Sequence, residues 1–385
     1  VTEANRSSNP TDEQLAWLKL KLTQGLGNRS IVRLIERFGS PLAALEAGRD
    51  ALAQFSGLRT EAFRALVRRQ FSSDPRAEWD RLMELGAAMI CLGDPDYPEN
   101  LKNIADPPAV LFVQGTLAVR DLVAVAVVGS RFASPMGLNT TRRLCGDLAK
   151  AGVTVVSGLA MGIDTAAHWG AIKGGGRTLA VLGCGLDVVY PRSNAGLKQA
   201  ICGCGALLTE LPLGSPPLAA HFPPRNRIIS GLALGVVVVE AAQRSGSLIT
   251  ARLALEQGRE VFAVPGPAGH ERSVGPHRLL KQGAKLVESA EDILEEIRPL
   301  IRSSAAASAA SAAAPVAGPI AAPQPPLVLA PEEEELIKSL GDQPCHIDRI
   351  RAACARPVSE IAALLTRMEL RGLIRQLAGK YFEKV

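Results

Sequence analysis

Five glycine-rich turns between Val123 and Gly266 carry most of the chemistry this chain offers. In order they are Gly129-Ser130-Arg131, Ser157-Gly158-Leu159-Ala160-Met161-Gly162-Ile163-Asp164, Gly183-Cys184-Gly185-Leu186-Asp187, Arg225-Asn226-Arg227 and Ser245-Gly246-Ser247. Short apolar runs precede most of them. Glycine lets backbone N–H groups approach an anion closely, a helix N-terminus adds partial positive charge, and arginine supplies the rest. That chemistry is phosphate binding.

Arg131 falls just past a strand end, with the Ser130 hydroxyl and N–H beside it. Arg225 and Arg227 flank Asn226 directly after Phe222-Pro223-Pro224. Arginines next to an aromatic suit a single nucleic-acid strand, whose phosphates are held electrostatically while its bases stack. Lys173, Arg192 and Arg244 widen the basic surface. The net charge is only +5, so an acidic partner must be met by local clusters rather than by a global field.

Other chemistries find fewer carriers. A dinucleotide site needs G-x-G-x-x-G after the first strand and an acidic residue ending the second. Here the first turn reads Gly129-Ser130-Arg131-Phe132-Ala133-Ser134, the second strand ends in Ser157-Gly158, and no GxxxxGK[ST] occurs. Asp164 and His168, four apart on one helix, are spaced to pair, but a helix-capping aspartate beside a packed histidine is the expected outcome. Cys184 has no basic partner nearby in sequence, and Cys202-x-Cys204 lacks the second pair a zinc site needs. No cofactor or metal is implied.

The elements that must position these turns follow from the apolar pattern. Strands are expected at 88–91, 110–113, 123–128, 153–156, 178–182, 206–209, 236–239, 261–264 and 285–287, with helices at 137–151, 164–173, 226–232, 247–257 and 275–282. Continuous β-branched strands alternating with helices imply a mostly parallel, Rossmann-like α/β sheet covered on both faces. Turns at its strand ends gather along one edge and form a crevice there.

The chain is organised as 1–75, an N-terminal helical module; 86–298, the sheet domain; 303–330, an Ala/Ser/Pro-rich linker; and 331–385, a C-terminal winged-helix domain. In the first block, 25–31 and 55–61 are similar glycine turns that each open a helix. They resemble a sterile-alpha-motif or helix-hairpin-helix unit, in which turn N–H groups can hold a DNA phosphate, although packing alone also explains such glycines. The last block is expected to hold helices at 332–340, 347–353 and 358–370 before a hairpin over 373–385. Its third helix region mixes Arg356, Arg367 and Arg371 with Glu360 and Glu369, which fits weak duplex contact and protein contact equally. Seven cysteines, odd in number, do not form a disulfide framework; with a polar start and no long apolar run, a cytoplasmic setting without membrane contact is expected.

Taken together, the Val127–Arg131 run, Ser157–Asp164, Gly183–Pro191, Phe222–Leu232, Val238–Ala241, Ser245–Ala251 and Val264-Pro265-Gly266 resemble the bacterial DNA-processing DprA (Smf) family. The resemblance covers most of the middle domain. It implies a non-catalytic protein that binds single-stranded DNA, forms a homodimer, loads RecA recombinase and protects incoming DNA during natural transformation. Carried onto this chain, Gly129, Ser130 and Arg131 grip phosphate, Phe222 meets a base, and Arg225, Asn226 and Arg227 complete the pocket. Gly158, Gly162, Gly246 and Ser247 add backbone or hydroxyl contacts, with Arg192 at the margin. Two departures bear on contact strength: His277 stands where relatives often carry Asn, and 218–221 lacks a lysine seen in some. The alternative is a nucleotide-processing enzyme of the phosphoribohydrolase-like Rossmann class, for which Glu256 is a poor substitute for the usual glutamate.

Overall fold

The computed structural model describes residues 9–312, with 345–346, 365, 368, 374–377 and 381–384. Two compact units emerge, Val1–Ser311 and Ala312–Val385.

Six helices open the first unit: α1 (Asp12–Leu22), α2 (Asn28–Phe38), α3 (Pro41–Glu46), α4 (Arg49–Ala53), α5 (Thr60–Arg68) and α6 (Pro75–Glu84). A nine-stranded sheet follows, built from β1 (Ala87–Cys91), β2 (Val110–Gly115), β3 (Ala124–Val128), β4 (Thr154–Ser157), β5 (Thr178–Val181), β6 (Ala206–Thr209), β7 (Gly235–Val238), β8 (Glu260–Ala263) and β9 (Lys285–Leu286). All nine expected strands are present. Their spatial order is β1-β2-β6-β5-β4-β3-β7-β8-β9. From β6 to β9 every pairing is parallel, while β1–β2 and β2–β6 are antiparallel.

The intervening helices are α7 (Glu99–Lys102), α8 (Pro135–Lys150), α9 (Ile163–Lys173), α10 (Ala195–Cys204), α11 (Phe222–Leu232), α12 (Gly246–Glu256), α13 (Val274–Lys281) and α14 (Ala290–Ala312). Alternation along β3 sorts them. Ala124, Ala126 and Val128 join one core with residues of α7, α11, α12 and α13. Val125 and Val127 face the other way, against α8, α9 and α14. Toward the β1 edge, Met89, Phe112, Ala180 and Leu207 share a third core with the N-terminal helices and α10. Burial on both faces is why these strands read as continuous Val and Ala runs.

The N-terminal glycine turns serve packing. Asn28, at the start of α2, donates to Asp106 Oδ1 and the Pro107 carbonyl at 2.8 Å each and accepts from Ala109 N at 2.6 Å. A Cβ at Gly25 would meet the Glu61 side chain at 3.1 Å, and one at Gly57 would meet Arg33 Nη1 at 2.6 Å.

Helix α14 continues to Ala312, ten residues into the Ala/Ser-rich tract, in keeping with alanine's helix propensity. The rest of that tract lies outside the described residues. In the second unit, strands β10 (Cys345–His346), β11 (Ile374–Leu377) and β12 (Tyr381–Lys384) form an antiparallel sheet in the order β10-β12-β11, with β11 and β12 making the expected hairpin. The helices expected at 332–340 and 347–353, and all of 358–370 except Leu365 and Met368, lie outside the described residues.

Candidate nucleic-acid interface

Chain direction across the sheet reverses between β3 and β7, the place where ligands enter open α/β sheets. A cleft of about 780 Å³ lies there, lined by the turns after β3 and β7 and by the start of α11. Eight of the twelve residues singled out from the sequence line it: Gly129, Ser130, Arg131, Phe222, Arg225, Asn226, Gly246 and Ser247. Arg244, Gln243 and Tyr190 line it as well.

Phe222 organises the basic groups. Its ring lies 5.3 Å from the Arg131 guanidinium carbon and 5.7 Å from that of Arg225. Tyr190 packs on the same ring, with centroids 5.8 Å apart. Arg131 is exposed; Arg225 is buried. The Arg225 Nη1 donates to the carbonyls of Gly158 and Val181, while its buried Nε has no partner among the described residues. Burial pushes its pKa down to about 10, which leaves it cationic at neutral pH. Asn226 reaches the Gly246 carbonyl at 3.5 Å, tying α11 to the turn that opens α12.

Of the helix N-termini along this edge, that of α8 is already satisfied. At α8, Ser134 caps the Gly137 N–H, while its own N–H and Oγ donate to the Glu240 carboxylate at 2.9 and 2.5 Å. Glu240 therefore occupies the place a dinucleotide pyrophosphate takes at the first helix of a Rossmann fold. Before α9, the buried Asp164 carboxylate accepts from Gly158 N at 3.2 Å and Ala160 N at 3.3 Å. Burial raises its pKa, with Arg225 opposing. The start of α12 is serine-capped as well, with Ser245 accepting from the Ser247 N–H at 3.3 Å, but here Ser245, Gly246 and Ser247 all line the cleft. Its N-terminal partial charge adds to the field of Arg131, Arg225 and Arg244.

Four expected residues lie elsewhere. Arg227 points to the opposite side of α11, where it forms a bidentate pair with Glu210 at 2.8 Å on both oxygens and reaches Asp106 Oδ2 at 3.1 Å. It anchors the helix rather than lining the cleft. Gly158 and Gly162 lie outside the lining, where they permit close approach. A Cβ on Gly158 would fall 2.7 Å from Arg225 Nη2, and one on Gly162, with φ +78°, would fall 2.2 Å from the Ser130 carbonyl. Arg192 is exposed in the turn before α10, outside the cleft.

Two further sites behave as packing groups. His168 is fully buried and bonds Thr178 Oγ1 at 2.7 Å rather than Asp164; burial, then the charge of Arg225, pushes its pKa down to about 3. His277 contacts the Gly266 carbonyl at 3.0 Å and lies outside the cleft. The sequence offered a signal for Arg227 as well: positions two apart on a helix do not face the same way, so Arg225 and Arg227 cannot share one pocket. For Tyr190 the local sequence held no comparable signal, because its place depends on the fold of 183–191. Lys198 Nζ holds that loop by donating to the carbonyls of Leu186 and Val188 at 2.5 and 2.9 Å.

The sequence model of the family described as DNA recombination-mediator protein A matches residues 88–298, and that of the DprA winged helix domain matches 320–380. This chain belongs to the DNA recombination-mediator protein A family. It is 46% identical over 286 residues to protein Smf of Escherichia coli (strain K12), covering 74% of each chain. It is 42% identical over 278 residues to the DNA processing protein DprA of Streptococcus pneumoniae, covering 72% of this chain and 96% of that one. The X-ray structure of the pneumococcal protein superposes with a TM-score of 0.66 at 40% identity, over 75% of this chain and 98% of that one. A structure of DNA processing protein A from Helicobacter pylori, which addresses its single-stranded DNA binding mode, gives 0.50 at 28% identity, over 55% of this chain and 96% of that one. The mostly parallel sheet and the winged-helix domain at the C-terminus are thus family features. Among the described residues, no helix is long and apolar enough to cross a membrane.

Proposed function

We propose that the chain binds single-stranded DNA in the cleft between β3 and β7 and passes it to a RecA-type recombinase. The observation that carries this is the Phe222 ring packed by two guanidinium groups in a cleft that the N-terminus of α12 also lines. One surface thus offers a stacking face and phosphate donors together. The single-strand binding of the Helicobacter pylori relative supports the same reading. Arg131 and Arg244 contact phosphate, Arg225 supplies fixed charge beneath, and Ser130, Gly246 and Ser247 add N–H and hydroxyl donors. Homodimerisation, a cytoplasmic setting and protection of incoming DNA in transformation follow from family membership as parts of this proposal.

The role is non-catalytic. Asp164 is committed to two backbone N–H groups, and Glu256 is exposed beside Arg252 at 3.5 Å, outside the cleft. Asp164 lines the cleft with its Oδ2 so held, and Glu256 is not placed for nucleotide hydrolysis.

The test is binding of a fluorescent single-stranded oligonucleotide across a salt series. Each of Arg131→Ala and Arg244→Ala should weaken binding and lower the log–log salt slope by roughly 0.7 while leaving stability unchanged. Arg227→Ala should instead cost about 3 kcal/mol of stability by stranding Glu210, with little effect on the affinity of folded protein. Wild-type binding indifferent to Arg131 and Arg244 would sink the cleft assignment. Enzyme-dependent cleavage of nucleoside monophosphates would sink the non-catalytic role.

A further inference from the structure

The charge of this chain is unevenly distributed. Residues 28–69 hold eight arginines, no lysine and four carboxylates, a surplus of four positive charges in a chain whose whole surplus is five. All eight arginines are exposed. On α2, Arg29, Arg33 and Arg37 recur every fourth residue, on the side away from buried Ile31 and Leu34. On α5, Arg64 and Arg68 do the same opposite buried Ala62, Ala65 and Leu66.

Almost none of this charge is neutralised internally. Among the described residues the one ion pair formed by these arginines joins Arg29 to Asp106 at 3.7 Å, with the Arg29 side chain 76% exposed. Arg33 packs over Phe55 at 5.5 Å and so joins α2 to the turn that leads into α5. The carboxylate of Glu61 lies over the Gly25 turn. Structural arginines elsewhere in the fold look different: Arg177 and Arg227 each hold a carboxylate through two nitrogens.

The stripe is also tied to α11, the helix whose start lines the cleft. Asp106, the partner of Arg29, is shared with Arg227 of α11, two residues from Arg225. On the other side, Arg81 of α6 pairs with Asp187 at 2.9 Å in the loop that carries Tyr190 to Phe222. The helical module therefore abuts the carboxyl edge of the sheet, on the same compact unit as the cleft.

We propose that the arginine face of α2 and α5 is a second contact for the phosphate backbone of the same DNA strand after it leaves the cleft. This rests on the single-strand reading of the cleft. The contact is electrostatic and blind to sequence, made by side chains along two helices rather than by the N–H groups of the glycine turns.

The experiment uses the full chain and two oligothymidylates, one of roughly five nucleotides, near the low end of single-strand site sizes, and one several times longer. Variant R37E/R64E/R68E changes only exposed arginines that make no ion pair among the described residues. With the longer strand it should lower the log–log salt slope by about 2, three contacts at about 0.7 each, and weaken binding severalfold at low salt. Short-strand binding should stay at the wild-type level. Unchanged long-strand affinity and slope would overturn the proposal and leave an acidic protein surface as the occupant of this face. A parallel Arg131→Ala arm separates the two readings. Loss of short-strand binding there supports the cleft whatever the triple variant does, and long-strand binding that needs the module but not Arg131 overturns the cleft alone. Absence of wild-type binding to either strand overturns both.

Discussion

Arg225 and Arg227 show how far residue type alone carries function. Both are arginines on α11 near Phe222, yet one lies under a cleft and the other ties the helix to Glu210 and Asp106. Residue type gave the chemistry; the 3.6-residue period decided which arginine could use it. His168 makes the same point for histidine. Its folded pKa is about 3, against an ordinary 6.5, because it is buried and faces the charge of Arg225. Between those values the unfolded chain binds one more proton than the folded one, so stability falls as pH drops through the window. The expected loss from this residue is about 2 kcal/mol between about pH 7 and about pH 5. Urea unfolding of wild type and His168→Gln at the two pH values checks it. An equal pH slope in the two proteins would show that His168 is not the group responsible.

Elements were more legible than contacts. Short apolar runs marked the strands, most of them fully buried, but a run apolar on both faces carries no sign of direction, so the antiparallel β1 and β2 were not distinguishable from their parallel neighbours. Helices α7, α10 and α14 were not expected; α10 contains Gly196, Gly203 and two cysteines, a composition with little helical signal. Helix α11 starts at Phe222 rather than Asn226 because prolines are tolerated in a first turn. The glycines of the second turn were legible, but their reason was not. Gly162, at φ +78° and against the Ser130 carbonyl, lets the β4 turn support the β3 turn that carries Arg131. Gly162→Ala should therefore cost about 2 kcal/mol or more and weaken DNA binding in the folded fraction. Gly175→Ala is the control, since it shares a positive φ of +74° but its Cβ would meet nothing within 4 Å. It should cost only about 1 kcal/mol and leave binding alone. Equal effects of the two substitutions on stability and binding would remove the support role.

At the scale of the whole molecule, composition separated an N-terminal helical block from the sheet, and the packing joins them. Trp17, Leu18 and Leu34 of the helices share one continuous core with Met89 and Phe112 of β1 and β2 and with Leu159 and Leu182 beyond β4 and β5. Contacts between residues so far apart in sequence leave no trace in local periodicity, which is why the block looked independent. A shared core without a solvated seam should unfold as one unit. The chain's three tryptophans suit the test, with Trp17 on α1, Trp79 on α6 and Trp169 on α9. In variants that keep either Trp17 or Trp169 alone, with phenylalanine at the other positions, tryptophan fluorescence and far-ultraviolet circular dichroism should give the same urea midpoint. A Trp17 signal lost at lower urea than the circular dichroism would mean that the helices melt from the sheet as a separate domain. The coincidence matters for function, because a module that opened independently would carry its arginine stripe away from the cleft. A strand held at both places requires that the two surfaces stay in fixed register.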